Sequence, residues 1–287
     1  MGLAGDEQDD GRGDRYLGRL GYACAPMPTS LCQATPPLVR LKPRLIAGLL
    51  CLLVAQCNAA EVSVAVAANF AAPLAKLAEG FTATTGHTLK VSSGATGKFY
   101  SQIVAGAPFE VLLAADEQTP QRLLAQSLAV PDSAFTYAVG RLVLWSPQPG
   151  LVDEQGAVLA SNRFSHLAIA NPKLAPYGLA AVAVLRVRGL EASLTPRLVV
   201  GESLAQAYQF VASGNAELGF VALSQVAVPG QPLTGSLWRV PQALYPPIRQ
   251  DAVLLLPGKG NAAALALLAY LKSAPARAVI ETWGYTR

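Results

Sequence analysis

The sequence predicts an α/β protein folded as two lobes, each a mainly parallel sheet flanked by helices. Three observations carry that expectation. Short apolar runs alternate with longer segments of helical periodicity from residue 61 to the end, the signature of βαβ units. The run TYAVGRLVLWS (136–146) is long for one strand and holds a Gly in its middle. Far downstream, PQALYPPIRQDAVLLL is a Pro-rich return followed by another long strand. Two such chain crossings suggest one lobe of residues 61–138 with 246–287 and a second of 139–245. A single large domain with a long edge hairpin is the alternative.

The elements follow in order. VSVAVAA (62–68) is a strand that breaks at Asn69, a good N-cap. Pro73, Leu74, Leu77 and Phe81 then recur at helical spacing and place a helix over 70–84. TLKVSS (88–93) leads into a helix at 97–105, and EVLLAA (110–115) into one at 118–127, with Asp116 as its cap. HLAIA (166–170) precedes a helix over 177–189, where Pro176 suits the first helical position. PRLVV (196–200) precedes a helix at 204–213 capped by Ser203. LGFVAL (218–223), LWRVP (237–241) and DAVLLLP (251–257) complete the strands, and helices at 261–273 and 275–283 close the chain. Trp145, Trp238 and Trp283 read as core or lobe-packing residues.

With 287 residues, 52% hydrophobic and only 14% charged, the chain can bury a large core. The net charge of +4 is mild and the Lys and Arg residues are scattered, so nucleic acid is not an expected partner. All four cysteines, Cys24, Cys32, Cys51 and Cys57, precede residue 60, and His87 and His166 are isolated. A Cys/His metal site is therefore not expected. Arg40, Lys42 and Arg44, then LIAGLLCLLVA, then small residues before Glu61 describe a secretory signal peptide over 40–60, cleaved after Ala59 or Ala60. Lipidation at Cys57 is the weaker alternative, because Gln56 is bulky where a small residue belongs. Residues 1–39 read as a poorly ordered extension or a start assigned too far upstream. The mature chain carries no cysteine, which suits an oxidising compartment.

Four strand-to-helix junctions share a chemistry: VAANFAAPL, VSSGATGKFYSQI, IANPKLAPYGLAAVAV and VVGESLAQAYQFV. Each brings small or hydroxylic residues, Gly or Pro to the start of a helix, where unpaired N–H groups and the positive dipole end face outward. Several such ends converging on one crevice would bind an ionised oxyanion by hydrogen bonds alone. No Arg or Lys pair flanks them as a cationic clamp, and Lys98 and Lys173 read equally well as surface residues. The same junctions also serve plain topology, so the pattern by itself leaves both readings open. GATGK lacks the spacing of a phosphate loop, and no His follows Ser203 to complete a Ser-His-Asp order in GESLA.

Beyond these patterns, the mature chain resembles the periplasmic molybdate-binding proteins of ABC transporters, within the type II periplasmic binding protein fold. The resemblance spans nearly all of 61–287 and is carried by AVAANFAAPL, SSGATGKFYSQI, AGAPFEVLLAAD, LAIANPKLAPYGLAA, ESLAQAYQFVASGNAELGFVALSQ and AYLKSAPARAVIETWGY. It implies a monomeric, non-enzymatic protein of the periplasm that holds molybdate, and tungstate as well, between two lobes for an ABC permease. It implies no cofactor, since molybdenum enters only as the bound oxyanion. Carried over by position, Asn69, Thr96, Tyr177 and Leu204 stand where members contact the anion, with Ser203 an alternative to Leu204. Ala222 stands where some members place a tyrosine, and Tyr177 would supply that hydroxyl instead. Sulfate, thiosulfate or another small oxyanion remains an alternative ligand. An enzyme on the same fold would need a reactive carboxylate or cationic clamp converging on Asn69 and Thr96.

Overall fold

The computed structural model describes residues 59–286. The expected N-terminal extension, the four cysteines and all but the last two residues of the 40–60 segment lie outside them.

Among the described residues, ten strands form two five-stranded sheets. The first sheet holds β1 (Glu61–Ala67), β2 (Thr88–Gly94), β3 (Val111–Leu113), β4 (Phe135–Gly140) and β10 (Ile248–Leu254), in the order β2-β1-β3-β10-β4. The second holds β5 (Leu142–Ser146), β6 (Leu167–Ala170), β7 (Leu198–Gly201), β8 (Leu218–Ala222) and β9 (Ser236–Arg239), in the order β7-β6-β8-β5-β9. The two orders are one plan used twice. In each sheet the strand next to the last position, β10 or β5, has just arrived from the other lobe, and it runs antiparallel to both neighbours. The remaining pairs are parallel, β1 with β2 and β3, and β6 with β7 and β8. Each sheet is therefore mixed in its pairing, although four of its strands share one direction.

Helices connect and cover the sheets. In the first lobe, α1 (Ala71–Thr85), α2 (Thr96–Val104) and α3 (Gln118–Ala125) follow β1, β2 and β3. In the second, α4 (Pro176–Val187) with the single turn α5 (Glu191–Leu194), α6 (Leu204–Ala212) and α7 (Leu223–Val226) follow β6, β7 and β8. Then α8 (Ala262–Leu271) and α9 (Ala274–Thr282) return to the first lobe. The expected long strand splits at Arg141 into β4 and β5, and this residue is the first crossing. Two helices go unforeseen in the sequence, α5 and α7, because four residues carry too little periodicity to register.

Inner strands such as β1 and β5 are covered on both faces, and their residues divide by alternation. Val62, Val64 and Val66 of β1 pack with Phe70, Leu74 and Leu77 in one layer, while Ala65 joins Phe99, Ile103 and Leu123 in another. In β5, Leu142 and Leu144 face the layer of Leu167, Ile169 and Phe220, while Val143 and Trp145 face Val211 and Val221. Period-two alternation between two apolar layers explains why these strands read as nearly continuous apolar runs. Trp145, Trp238 and Trp283 are all buried, as expected of core residues.

Candidate functional site

The three junctions of the first lobe and the three of the second occupy equivalent places in the shared plan. The β1–α1 turn carries Asn69 and its counterpart, the β6–α4 turn, carries Tyr177. Thr96 opens α2 after β2, and Leu204 opens α6 after β7. The third pair of turns carries Asp116 and Ser224. Ala67, Ala115, Tyr177 and Leu204 belong to one apolar cluster, so the chain ends leading into these junctions meet in space. All four expected contact residues are at most 3% exposed.

Asn69 is not the helix cap its position suggests. It lies in a 3-10 turn, Ala68–Phe70, and Phe70 holds the cap position of α1 without a side-chain bond. The Asn69 side chain turns inward instead, where Nδ2 donates to Gln250 Oε1 at 2.8 Å and to the Tyr285 hydroxyl at 3.0 Å. Its carbonyl accepts from Ser224 Oγ at 2.9 Å and from Tyr285 at 2.8 Å. Both amide hydrogens are thus committed within the protein, and the group left for a ligand at this residue is the backbone N–H.

Thr96 has the opposite wiring. Its Oγ1 accepts from the Ala115 backbone N–H at 3.0 Å, so the hydroxyl proton is left to donate elsewhere. Tyr177 resembles it, since Gln250 Nε2 donates to its hydroxyl at 3.3 Å. Leu204 offers its amide at the first helical position, where no preceding turn supplies an acceptor. Ser203 caps this helix as expected, accepting from the Gln206 N–H at 3.3 Å. Asp116 accepts from the Thr119 N–H at 2.7 Å and is a helix-start acceptor.

Four further polar residues join the site, Tyr137, Ser224, Gln250 and Tyr285. Tyr137 donates toward Ala114 O at 3.0 Å and Gln250 Oε1 at 3.1 Å, and Ser224 Oγ lies 2.9 Å from the Tyr285 hydroxyl. Phe70 holds both rings edge-on, 4.7 Å from Tyr137 and 5.4 Å from Tyr285. Antiparallel bridging of Thr286 to Val139 brings Tyr285 here. Gln250 carried no distinguishing sequence signal, since it stands between Arg249 and Asp251 at the start of its strand. Tyr285 had none beyond lying in a terminal segment of the resemblance. Burial pushes the Tyr137, Tyr177 and Tyr285 phenols up, so all three stay protonated donors at neutral pH. Among the described residues, no carboxylate or cationic side chain bonds to Asn69, Thr96 or Tyr177.

The lobes touch around these residues. The Gly97 N–H donates to Leu174 O at 2.9 Å, and Ser224 reaches Asn69 from across the cleft. A Cβ on Gly97 would lie 3.1 Å from Leu174 Cα and O, so glycine permits this approach. At the rim, Lys98 Nζ stands 3.6 Å from Glu202 across the lobes, both well exposed. A cleft of about 490 Å³ runs here between the β2–α2 and β7–α6 turns, lined by Ser92, Ser93, Ala95, Lys98, Glu202 and Ser203 among others. None of the four expected residues lines it, but Ala95 and Ser203 are their immediate chain neighbours. A second cavity of about 560 Å³ opens on the first lobe beside Glu117, Arg249 and Asp251. There Arg249 pairs with Glu117 at 3.0 Å, and Asp251 accepts from the Thr136 hydroxyl at 2.7 Å.

Two lobes on one strand plan, joined by two crossings and meeting through buried neutral donors, define a solute-binding architecture. Residues 62–286 match the model of the family described as bacterial extracellular solute-binding protein, and the chain belongs to that family. Membership makes it a binding protein rather than an enzyme. It is 59% identical over 82% of its length to the molybdate-binding protein ModA of Azotobacter vinelandii, covering 93% of that protein. It is 52% identical over 79% of its length to ModA of Rhodobacter capsulatus, covering 88% of that relative. Among solved structures, the periplasmic molybdate-binding protein of Azotobacter vinelandii superposes with a TM-score of 0.77 at 46% identity, over 79% of this chain and 99% of that one.

Proposed function

We propose that the chain captures molybdate, and tungstate with it, between its lobes and hands the oxyanion to an ABC permease. It would act in the periplasm, as a monomer, after removal of the 40–60 segment, and it needs no cofactor. The observation that carries the ligand class is the wiring of the site. Thr96 and Tyr177 hydroxyls each accept an N–H from inside the protein and so have a proton to donate. Added to the Leu204 amide at a helix start and the Asn69 amide beside it, these groups form a neutral, donor-rich pocket. Such a set suits a fully ionised oxyanion, whereas a protonated one would leave its O–H without an acceptor. The names of the relatives at 59% and 52% identity support molybdate within that class.

Closure follows from the same contacts. An anion touching donors of both lobes stabilises the arrangement in which Gly97 meets Leu174, and a permease can read that arrangement. Calorimetric titration of the exported protein with molybdate, tungstate, sulfate and phosphate tests the reading. One-to-one binding of the first two, with sulfate and phosphate silent, is expected. Preference for sulfate would keep the mechanism and change the ligand, and absence of heat with all four would overturn the proposal.

A further inference from the structure

Gln250 lies on β10, the strand that has crossed back into the first lobe, and it is fully buried. Its Oε1 accepts from Asn69 Nδ2 at 2.8 Å and lies 3.1 Å from the Tyr137 hydroxyl, whose one proton it shares with Ala114 O at 3.0 Å. The amide is thereby turned so that Nε2 points at Tyr177, 3.3 Å from its hydroxyl oxygen on the other lobe. An amide nitrogen can only donate. Tyr177 must accept from it and keep its own proton for a different acceptor. Gly140 leaves the room for this contact, because a Cβ there would collide with the Tyr177 hydroxyl and come within 2.6 Å of Gln250 Nε2. The opposite polarity of the network would spend the Tyr177 proton on Gln250 and present phenol lone pairs outward, which repels an anion.

We infer that Gln250 is a positioning residue for the oxyanion: it makes the Tyr177 hydroxyl an obligate donor, and does so only when the lobes are together. The inference rests on the reading above that Tyr177 faces the bound oxyanion. Gln250 itself does not touch the ligand. Its influence passes through one hydroxyl, so it disappears when that hydroxyl is removed.

A double-mutant cycle on the exported protein, titrated with sodium molybdate, tests this. Gln250→Met removes both polar ends. Gln250→Glu keeps the acceptors for Asn69 and Tyr137, replaces the donor toward Tyr177 and adds a carboxylate whose charge acts on the anion directly, so it serves, if the methionine variant does not fold, through the part of its penalty that Tyr177→Phe removes. Each is measured alone and combined with Tyr177→Phe, with thermal unfolding as the fold control. Each single change is expected to weaken binding about tenfold or more, the scale of one hydrogen bond to a charged group. In the Tyr177→Phe background, Gln250→Met should cost little further affinity, and the penalty of Gln250→Glu should shrink markedly. Fold losses that multiply independently would overturn the inference, as would Gln250 variants that bind like the parent. A parent protein that binds no molybdate would instead overturn the proposed function, so the two failures are distinguishable.

Discussion

In the first lobe the residue that opens the helix after the second strand of the plan is Thr96, and in the second lobe it is Leu204. Both are buried, both stand at the first helical position, and both present an amide that no preceding turn can satisfy. They differ in what the side chain does. Thr96 adds a hydroxyl held by the Ala115 N–H, whereas Leu204 fills the apolar cluster it shares with Ala67, Ala115 and Tyr177. The turns one step earlier differ in the same sense. Asn69 commits its side chain to the interior and leaves its amide, whereas Tyr177 brings a phenol across to Gln250. The comparison teaches that the topology itself supplies backbone donors at every junction, and side chains then decide how many hydroxyls are added and in which lobe.

Leu204→Ala is the sharpest way to break that comparison. If Leu204 serves the anion only through its N–H, truncating the side chain should leave molybdate affinity near that of the parent. Stability should nonetheless fall by about 2–5 kcal/mol, the usual cost of emptying a buried leucine site. Denaturant unfolding and calorimetry on the same sample separate the two effects. A large affinity loss at preserved stability would show that the leucine side chain itself shapes the pocket.

Gly140→Ala comes next, because it strikes where the two lobes' side-chain donors meet. The new methyl would press on Tyr177 and Gln250 at the end of β4, beside the first crossing. Overpacking of this kind costs about 1–3 kcal/mol of stability. Affinity should fall as well, since Tyr177 cannot hold its place. A variant that unfolds later but binds weakly would still agree with the comparison, and one that binds unchanged would not.

Thr96→Ala removes the hydroxyl that distinguishes the first lobe's helix start. Binding should weaken by about 1–2 kcal/mol, and Thr96→Ser should restore most of it, because serine can accept from Ala115 and donate outward as threonine does. Ser203→Ala probes the second lobe at the neighbouring position. Loss of its bond to the Gln206 N–H should cost about 1 kcal/mol of stability with a smaller change in affinity, since the cap supports the helix start without being the donor.

Much of this architecture was legible in the sequence, and the reasons are particular. The junction order, the Gly-interrupted crossing at residues 136–146, the cap at Ser203 and the proline opening a helix at Pro176 are local signals, each set by a few adjacent residues. Asn69 misled for the same reason. Its local preference for a cap is real, but the hydroxyl of Tyr285, the amide of Gln250 and the carbonyl-seeking Ser224 outcompete it from sequence separations of more than 150 residues. Gln250 and Tyr285 were invisible as site residues because their roles arise from chain crossing and from the bridge between Thr286 and Val139. Neither depends on any pattern near them in the chain.

The smallest effect belongs to the rim, where the two helix starts carry opposite charges. Lys98 follows Thr96 on α2, Glu202 precedes Leu204 before α6, and their side chains stand 3.6 Å apart in solvent. An exposed pair of this kind is worth about 0–1 kcal/mol, so neither Lys98→Ala nor Glu202→Gln should move the unfolding midpoint much. Their effect on a dianion approaching the cleft has a sign, however. Removing the lysine should slow molybdate association and removing the glutamate should hasten it, and raised salt should shrink both differences as the charges are screened. Stopped-flow association of the two variants at low and high salt reads this directly. Equal rates at low salt would mean that the rim pair cancels at the distance where the ion is captured, leaving the buried neutral donors to act alone.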